Sequence, residues 1–104
     1  MALPQFVPDR RPELALLCQR HGARRLELFG SATRADFSPE RSDLDFIVTF
    51  DELPIERAAD AFFTLKDGLE TMFQRPVDLL TEHALRNPYL RQRVDAERVT
   101  VYGA

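Results

Sequence analysis

The sequence predicts an α/β domain in which a small mixed sheet is flanked by helices. Two observations lead to this prediction: stretches with helical spacing of apolar residues alternate with short apolar stretches typical of strands, and the connections between them are short. At 104 residues the chain is expected to form one domain, residues 1–104, with the proline-rich residues 1–10 as a loose N-terminal arm.

The first half of the chain contains a predicted helix, a strand and a turn. Pro12 is placed at the start of the helix, which is expected to run to His21, and Gly22 follows its end. Charged and apolar residues alternate between Arg24 and Phe29, which is typical of a strand. A single helical turn is then expected over Ser31–Ala35.

The second half begins with an almost wholly apolar run, Leu44 to Phe50, which predicts a central strand buried on both faces. Pro54 opens a long amphipathic helix whose apolar positions continue to Phe73. The remaining predicted elements are a strand at Val77–Leu80, a short turn capped by Thr81, a helix from Pro88 toward Ala96 and an extended segment at Arg98–Tyr102.

Composition narrows the class of protein. The net charge of −3 and the pI near 5.3 argue against a protein whose main task is to bind nucleic acid. Cys18 is the single cysteine, which excludes an intrachain disulfide framework and fits a reducing compartment. No apolar run reaches membrane-spanning length and residues 1–9 show no signal-peptide pattern, so we expect a cytoplasmic protein without a membrane partner.

Two carboxylates one residue apart, Asp43 and Asp45, enter the apolar run of the central strand. Residues i and i+2 of a strand point to the same face, so the two side chains are expected to lie together while Leu44 and Phe46 point to the other face. Like charges this close repel unless a cation lies between them, and carboxylate oxygens are typical ligands of Mg²⁺. The pair predicts a magnesium site.

A Gly30-Ser31 pair precedes these carboxylates, at the end of the previous strand. Glycine allows the backbone to approach a ligand closely, and a serine that opens a helical turn offers N–H groups and a hydroxyl to phosphate. Arg34, one turn further, is a candidate phosphate ligand, with an ion pair to Asp36 as the alternative. Ser42 is a further nucleotide-binding candidate that could instead cap the turn into the strand.

Asp78 interrupts the third predicted strand and is the candidate third carboxylate. If its strand lies beside that of Asp43 and Asp45, the three acids can hold two Mg²⁺ ions for nucleotidyl transfer, with ATP bound at Gly30-Ser31. Asp78 would then help to lower the pKa of the attacking hydroxyl. Alternatively, Asp78 is only a charged residue at the edge of a strand. Taken alone, the Asp43–Asp45 pair could also be surface charge, a pair of calcium ligands or the metal-binding motif of enzymes that use sugar nucleotides.

Taken together, Gly30-Ser31, Ser42-Asp43-Leu44-Asp45 and Asp78 resemble the minimal nucleotidyltransferase family, which has the fold of the DNA polymerase β superfamily. The segments 86–90 and 101–103 are also similar to that family. The resemblance implies that Gly30 and Ser31 contact the triphosphate, that Asp43 and Asp45 bind Mg²⁺, and that Asp78 is the third acidic residue. One difference is that Arg34 is followed by Ala35 and Asp36, where the family often has a glycine nearby, in a loop about one residue longer.

The resemblance also implies a biological role. Many members are antitoxins of HEPN-class ribonuclease toxins, and some transfer AMP from ATP to a tyrosine hydroxyl of the toxin. We therefore predict an adenylylating antitoxin in a hetero-oligomer with a HEPN-type toxin, with no direct nucleic-acid binding. The short chain has no room for an acceptor-binding module, which favours a protein acceptor. Two alternatives stay open: neutralisation of the partner by binding alone, and transfer to a small molecule such as an aminoglycoside.

Overall fold

The computed structural model describes residues 4–34, 38 and 42–103, and for Ile55 only the backbone. In these ranges the helices and strands are α1 (Arg11–Arg20), β1 (Ala23–Phe29), β2 (Leu44–Phe50), α2 (Ile55–Phe73), β3 (Val77–Thr81), α3 (Pro88–Glu97) and β4 (Val99–Tyr102). Short 3-10 turns cover Pro8–Arg10, Gly30–Thr33 and Glu82–Ala84. None of the described helices is both long and apolar enough to cross a bilayer.

The strands form one mixed sheet in the order β3-β2-β1-β4. β1 is antiparallel to both β2 and β4, whereas β2 is parallel to β3. A parallel pair needs a long crossover between its strands, and α2 provides it. The predicted α/β fold, a small mixed sheet flanked by helices, is confirmed.

The two faces of β2 are covered by different parts of the chain, as predicted for a central strand. Phe46 and Val48 are buried in the main core with residues of α1 and α2 such as Leu14 and Leu69. Ile47 points to the other face, where it packs in a smaller cluster with Leu85 and with Val94 of α3. The alternation of strand side chains therefore places Asp45 on the α3 side of the sheet.

The capping predicted for Thr81 differs from the structure. Thr81 stands at the N-cap of the turn Glu82–Ala84, but its side chain makes no capping hydrogen bond. Asn87 instead caps α3, where its side-chain oxygen accepts hydrogen bonds from the backbone N–H groups of Tyr89 (2.9 Å) and Leu90 (3.3 Å). An asparagine before a proline at the first helical position is a strong start signal, so α3 begins at Pro88 as predicted.

The N-terminal segment differs from the loose arm that its prolines suggest. Residues 4–10 fold into turns, and Val7 is fully buried in the main core. The Phe6 ring lies 6.0 Å from the ring of Phe73, and the Arg75 guanidinium lies 4.6 Å above the Phe6 ring. The apolar residues of this short segment find enough contacts to order it, whereas residues 1–3 lie outside the described ranges.

Candidate active site

A glycine turn forms one side of the site. The chain leaves β1 at Phe29 and enters the 3-10 turn at Gly30, whose φ is +75°. A Cβ atom at Gly30 would collide with a carboxylate oxygen of Asp45, so the turn lies directly against β2. The Thr33 hydroxyl closes the turn by donating a hydrogen bond to the Gly30 carbonyl at 2.8 Å. The close backbone approach predicted for this glycine is made to the carboxylate of Asp45.

Two carboxylates face each other across the parallel strand pair. Asp45 of β2 is in register with Asp78 of β3, and their side chains share a hydrogen bond. The pKa of Asp45 is raised to about 6. Partial burial is the largest cause, followed by the hydrogen bond and negative charge of Asp78 and the charge of Asp43, while the charge of Arg34 acts in the opposite direction. When Asp45 is protonated, the shared hydrogen bond removes the repulsion that the two ionised carboxylates would have.

Asp43, the first of the three predicted carboxylates, lies beside this pair and not within it. Asp43 is exposed, just before β2, and acts on Asp45 through its charge. Asp78 is also exposed, although its neighbours Val77 and Leu79 are buried, and its strand β3 is the edge of the sheet. Among the described residues, no three His, Cys, Asp or Glu side chains are gathered as a metal-binding group.

A cleft joins the glycine turn to the carboxylate pair. Its volume is about 410 Å³, within the range of small-molecule sites. Five of the predicted site residues line it: Gly30, Ser31, Arg34, Asp45 and Asp78. Lys66 of α2 and one face of α3 complete it; the α3 residues are Leu90, Arg93, Val94 and Glu97. The structure thus brings five of the seven predicted residues to one cleft.

Glu97 is a residue of this cleft that the sequence analysis missed. One of its carboxylate oxygens accepts a hydrogen bond from the Gly30 backbone N–H at 3.0 Å, and the other pairs with the Arg34 guanidinium at 2.6 Å. Glu97 follows both partners by more than 60 residues in the sequence, so no local sequence pattern predicts these contacts. The alternative partner considered for Arg34, Asp36, lies outside the described residues, as does the altered segment after Arg34.

Ser42 is placed in the turn that precedes β2. Its hydroxyl accepts a hydrogen bond from the Ser38 backbone N–H at 2.9 Å, and its own N–H donates to the Ser38 carbonyl at 2.8 Å. It does not line the cleft. The position of Ser42 agrees with the turn-capping alternative more than with nucleotide binding. Cys18 and the two histidines also lie outside the cleft lining.

Comparison with known proteins identifies the family. The sequence profile of the nucleotidyltransferase domain matches residues 14–101, most of the chain. The chain belongs to the nucleotidyltransferase family. It is 30% identical over 91 residues to "Putative protein adenylyltransferase MJ0128" of Methanocaldococcus jannaschii, covering 88% of this chain and 89% of that protein. It is 34% identical over 71 residues to "Protein adenylyltransferase MntA" of Thermococcus cleftensis, covering 68% of each.

Solved structures agree with this assignment. A chain described as a "putative minimal nucleotidyltransferase" superimposes with a TM-score of 0.73 at 37% identity, covering 91% of this chain and 92% of that one. An MNT antitoxin in complex with the tri-AMPylated HEPN toxin of Shewanella oneidensis superimposes with a TM-score of 0.62 at 20% identity, covering 94% and 73%. A toxin–antitoxin structure with AMP-PNP gives 0.63 at 21%, covering 90% and 73%. The resemblance inferred from the sequence is confirmed, and the last two matches establish the fold.

Proposed function

We propose that this nucleotidyltransferase transfers AMP from ATP to a hydroxyl group of a partner protein, a tyrosine of a HEPN-type ribonuclease toxin, and so acts as an antitoxin. The observation that carries the proposal is the Asp45–Asp78 pair, which lies beside the Gly30 turn in one cleft. A phosphate-binding turn and acidic side chains on adjacent strands are the parts that nucleotidyl transfer requires.

In the proposed reaction the acceptor hydroxyl oxygen attacks the α-phosphorus of ATP. A new P–O bond forms to the acceptor, the bond from the α-phosphorus to the bridging oxygen breaks, and pyrophosphate leaves. The backbone N–H and hydroxyl of Ser31 bind phosphate oxygens, and the glycine at position 30 keeps the turn close to Asp45. Asp78 is the group we assign to the acceptor proton.

The acidic side chains fit Mg²⁺ as the cofactor. Asp43 and Asp45 would hold the ion, with Asp78 as a further ligand, since all three offer hard carboxylate oxygens. The raised pKa of Asp45 supports this assignment, because a cation between the carboxylates would replace the shared proton and remove their repulsion. When bound, Mg²⁺ supplies positive charge that stabilises the attacking and leaving oxygens.

A protein acceptor is supported by the relatives and by the mouth of the cleft. The relatives are named as protein adenylyltransferases, and the similar structures include a complex with an AMPylated HEPN toxin. Leu90 lines the cleft and is 37% exposed, and its neighbour Tyr89 is 80% exposed. Large apolar side chains exposed beside a site are typical of a protein contact surface, so we propose a hetero-oligomer with the toxin.

The test is calorimetric titration of ATP with Mg²⁺ into the wild-type chain, Asp45→Asn and the double variant Asp43→Asn/Asp45→Asn. We expect binding in the wild type and its loss in both variants. The control is Asp51→Asn, which removes an exposed carboxylate that pairs with Arg24 outside the cleft. Binding that survives in the double variant would contradict the proposal.

Neutralisation of the toxin by binding alone is the second candidate function. It is favoured by one observation, that Asp43 stands apart from the Asp45–Asp78 pair and outside the cleft lining. The two functions separate when the double variant is expressed with its toxin. Catalysis predicts an intact complex, no AMP on the toxin and loss of protection, whereas binding alone predicts full protection.

A further inference from the structure

Three cationic side chains line the cleft, and they differ in what neutralises them. Arg34 is paired with Glu97 at 2.6 Å. Lys66 lies 3.9 Å from Glu70, a distant ion pair on the same helix. Arg93 is exposed and has no ion pair or hydrogen bond among the residues that the structure describes. The cleft therefore contains one guanidinium whose charge is uncompensated.

The geometry of α3 explains why Arg93 finds no ion-pair partner within residues 4–34, 38 and 42–103. Arg93 and Glu97 are four residues apart, so they occupy the same face of the helix one turn from each other. Glu97 would be the natural partner, but one of its oxygens is taken by Arg34 and the other by the Gly30 N–H. The carboxylate that could neutralise Arg93 is thus committed to holding the glycine turn.

We propose that Arg93 binds the triphosphate of the nucleotide, while Arg34 and Glu97 together hold the Gly30 turn in place. This inference rests on the proposed function. A triphosphate brings several negative charges into a cleft that already contains Asp45 and Asp78, and a free guanidinium can bind its oxygens with two parallel hydrogen bonds. The salt bridge to Glu97 leaves Arg34 less able to supply that charge.

The test compares the binding of Mg²⁺–ATP and of AMP to the wild type, Arg93→Gln, Arg93→Lys and Arg20→Gln. Arg20 is exposed at the end of α1 and does not line the cleft, so Arg20→Gln controls for the loss of one positive charge. We expect Arg93→Gln to weaken ATP about tenfold. AMP binding should change little because AMP lacks the two outer phosphates. Arg93→Lys should recover part of the ATP affinity, and Arg20→Gln should match the wild type.

Each other result overturns the inference in a recognisable way. If Arg93→Gln binds ATP as the wild type does while Asp45→Asn does not, the inference fails and the proposed function stands. Equal weakening of ATP and AMP would indicate a general disturbance of the cleft. Unchanged ATP affinity with reduced AMP transfer to the partner would assign Arg93 to the acceptor surface. No ATP binding by the wild type would remove the proposed function and this inference together.

Discussion

At the scale of single residues, Gly30 is a position at which a side chain would disturb the cleft directly. Its φ of +75° disfavours any side chain, and an added Cβ would also collide with Asp45. We expect Gly30→Ala to lower the free energy of unfolding by about 2–3 kcal/mol and to abolish ATP binding. Urea denaturation and calorimetric titration measure the two effects.

Gly22 provides the matched control for Gly30→Ala. Its φ is +74°, but a Cβ atom there would lie 3.5 Å from the nearest Leu53 atom, an ordinary contact. Gly22→Ala should therefore cost only the backbone strain, about 1 kcal/mol, and should leave ATP binding unchanged. Equal losses in the two variants would show that the Asp45 contact has no energetic consequence.

The carboxyl group of Asp45 makes the stability of the metal-free protein depend on pH. Its pKa rises from 3.8 to about 6 on folding, so the stability cost of its ionisation develops between these two values, is complete above about pH 6 and is absent below about pH 3, where both states are protonated. Asp45→Asn keeps a donor for Asp78 and removes the charge. Allowing for its partial exposure, we expect the variant to be more stable by about 1–2 kcal/mol near neutral pH.

Urea denaturation of the wild type and Asp45→Asn, at about pH 3 and about pH 7.5, measures this effect. The difference should vanish at the lower pH. Adding Mg²⁺ at the higher pH should stabilise the wild type and leave the variant unchanged. A variant that is less stable than the wild type at both pH values would contradict the assigned cause of the pKa shift.

At the scale of the elements, Arg98 lies between α3 and β4 and connects them to the rest of the sheet through hydrogen bonds. Its guanidinium donates two hydrogen bonds to Glu27 of β1, at 2.7 and 2.9 Å, and binds Glu82 at 2.7 Å and Asp95 at 2.6 Å. Burial alone would raise the pKa of Glu82, but the hydrogen bonds and charges of Arg98 and Arg91 lower it overall. Burial opposes the charged form of Arg98, whereas its hydrogen bonds to Glu27, Glu82 and Asp95 stabilise that form.

We expect Arg98→Ala to destabilise the protein by about 2–3 kcal/mol, because it leaves the carboxylate of Glu27, itself only 7% exposed, without its main partner. The control is Arg24→Ala, which breaks the exposed pair with Asp51 and should cost less than about 0.5 kcal/mol. Urea denaturation of both variants tests the difference. Similar small losses would mean that solvent screens the Arg98 cluster as it does a surface pair.

The elements that the sequence predicts best are those whose pattern is local. The apolar run Leu44–Phe50 identified β2 to the residue, and the acids on β2 and β3 became neighbours once the two strands paired in parallel. The contacts of Glu97 and the position of Arg93 in the cleft could not be predicted in this way. α3 has few apolar residues and therefore no apolar stripe that the sequence would reveal. Which side of α3 faces the cleft is determined by the packing of Val94 in the folded protein.

At the scale of the whole molecule, the site exists only when distant parts of the chain are assembled. The Gly30 turn follows β1, Asp45 and Asp78 come from β2 and β3, and Glu97 ends α3. Ligand binding to such a site stabilises the complete fold, because any form that lacks one element lacks the site. The pairing of strands on either side of α2 could be inferred from the chain, whereas the ordering of Val7 could not, since two adjacent apolar residues between prolines give no periodic signal.

The N-terminal segment, residues 4–10, belongs to the folded domain but precedes the match to the family profile, which begins at residue 14. The Arg75 guanidinium that covers the Phe6 ring also donates to the Ser42 carbonyl at 3.5 Å, and Ser42 directly precedes Asp43. One arginine thus bridges the start of the polypeptide and the approach to the acidic strand. A fragment trimmed to residues 14–101 would lose the Phe6 ring against which Arg75 packs, next to the segment that leads into Asp43.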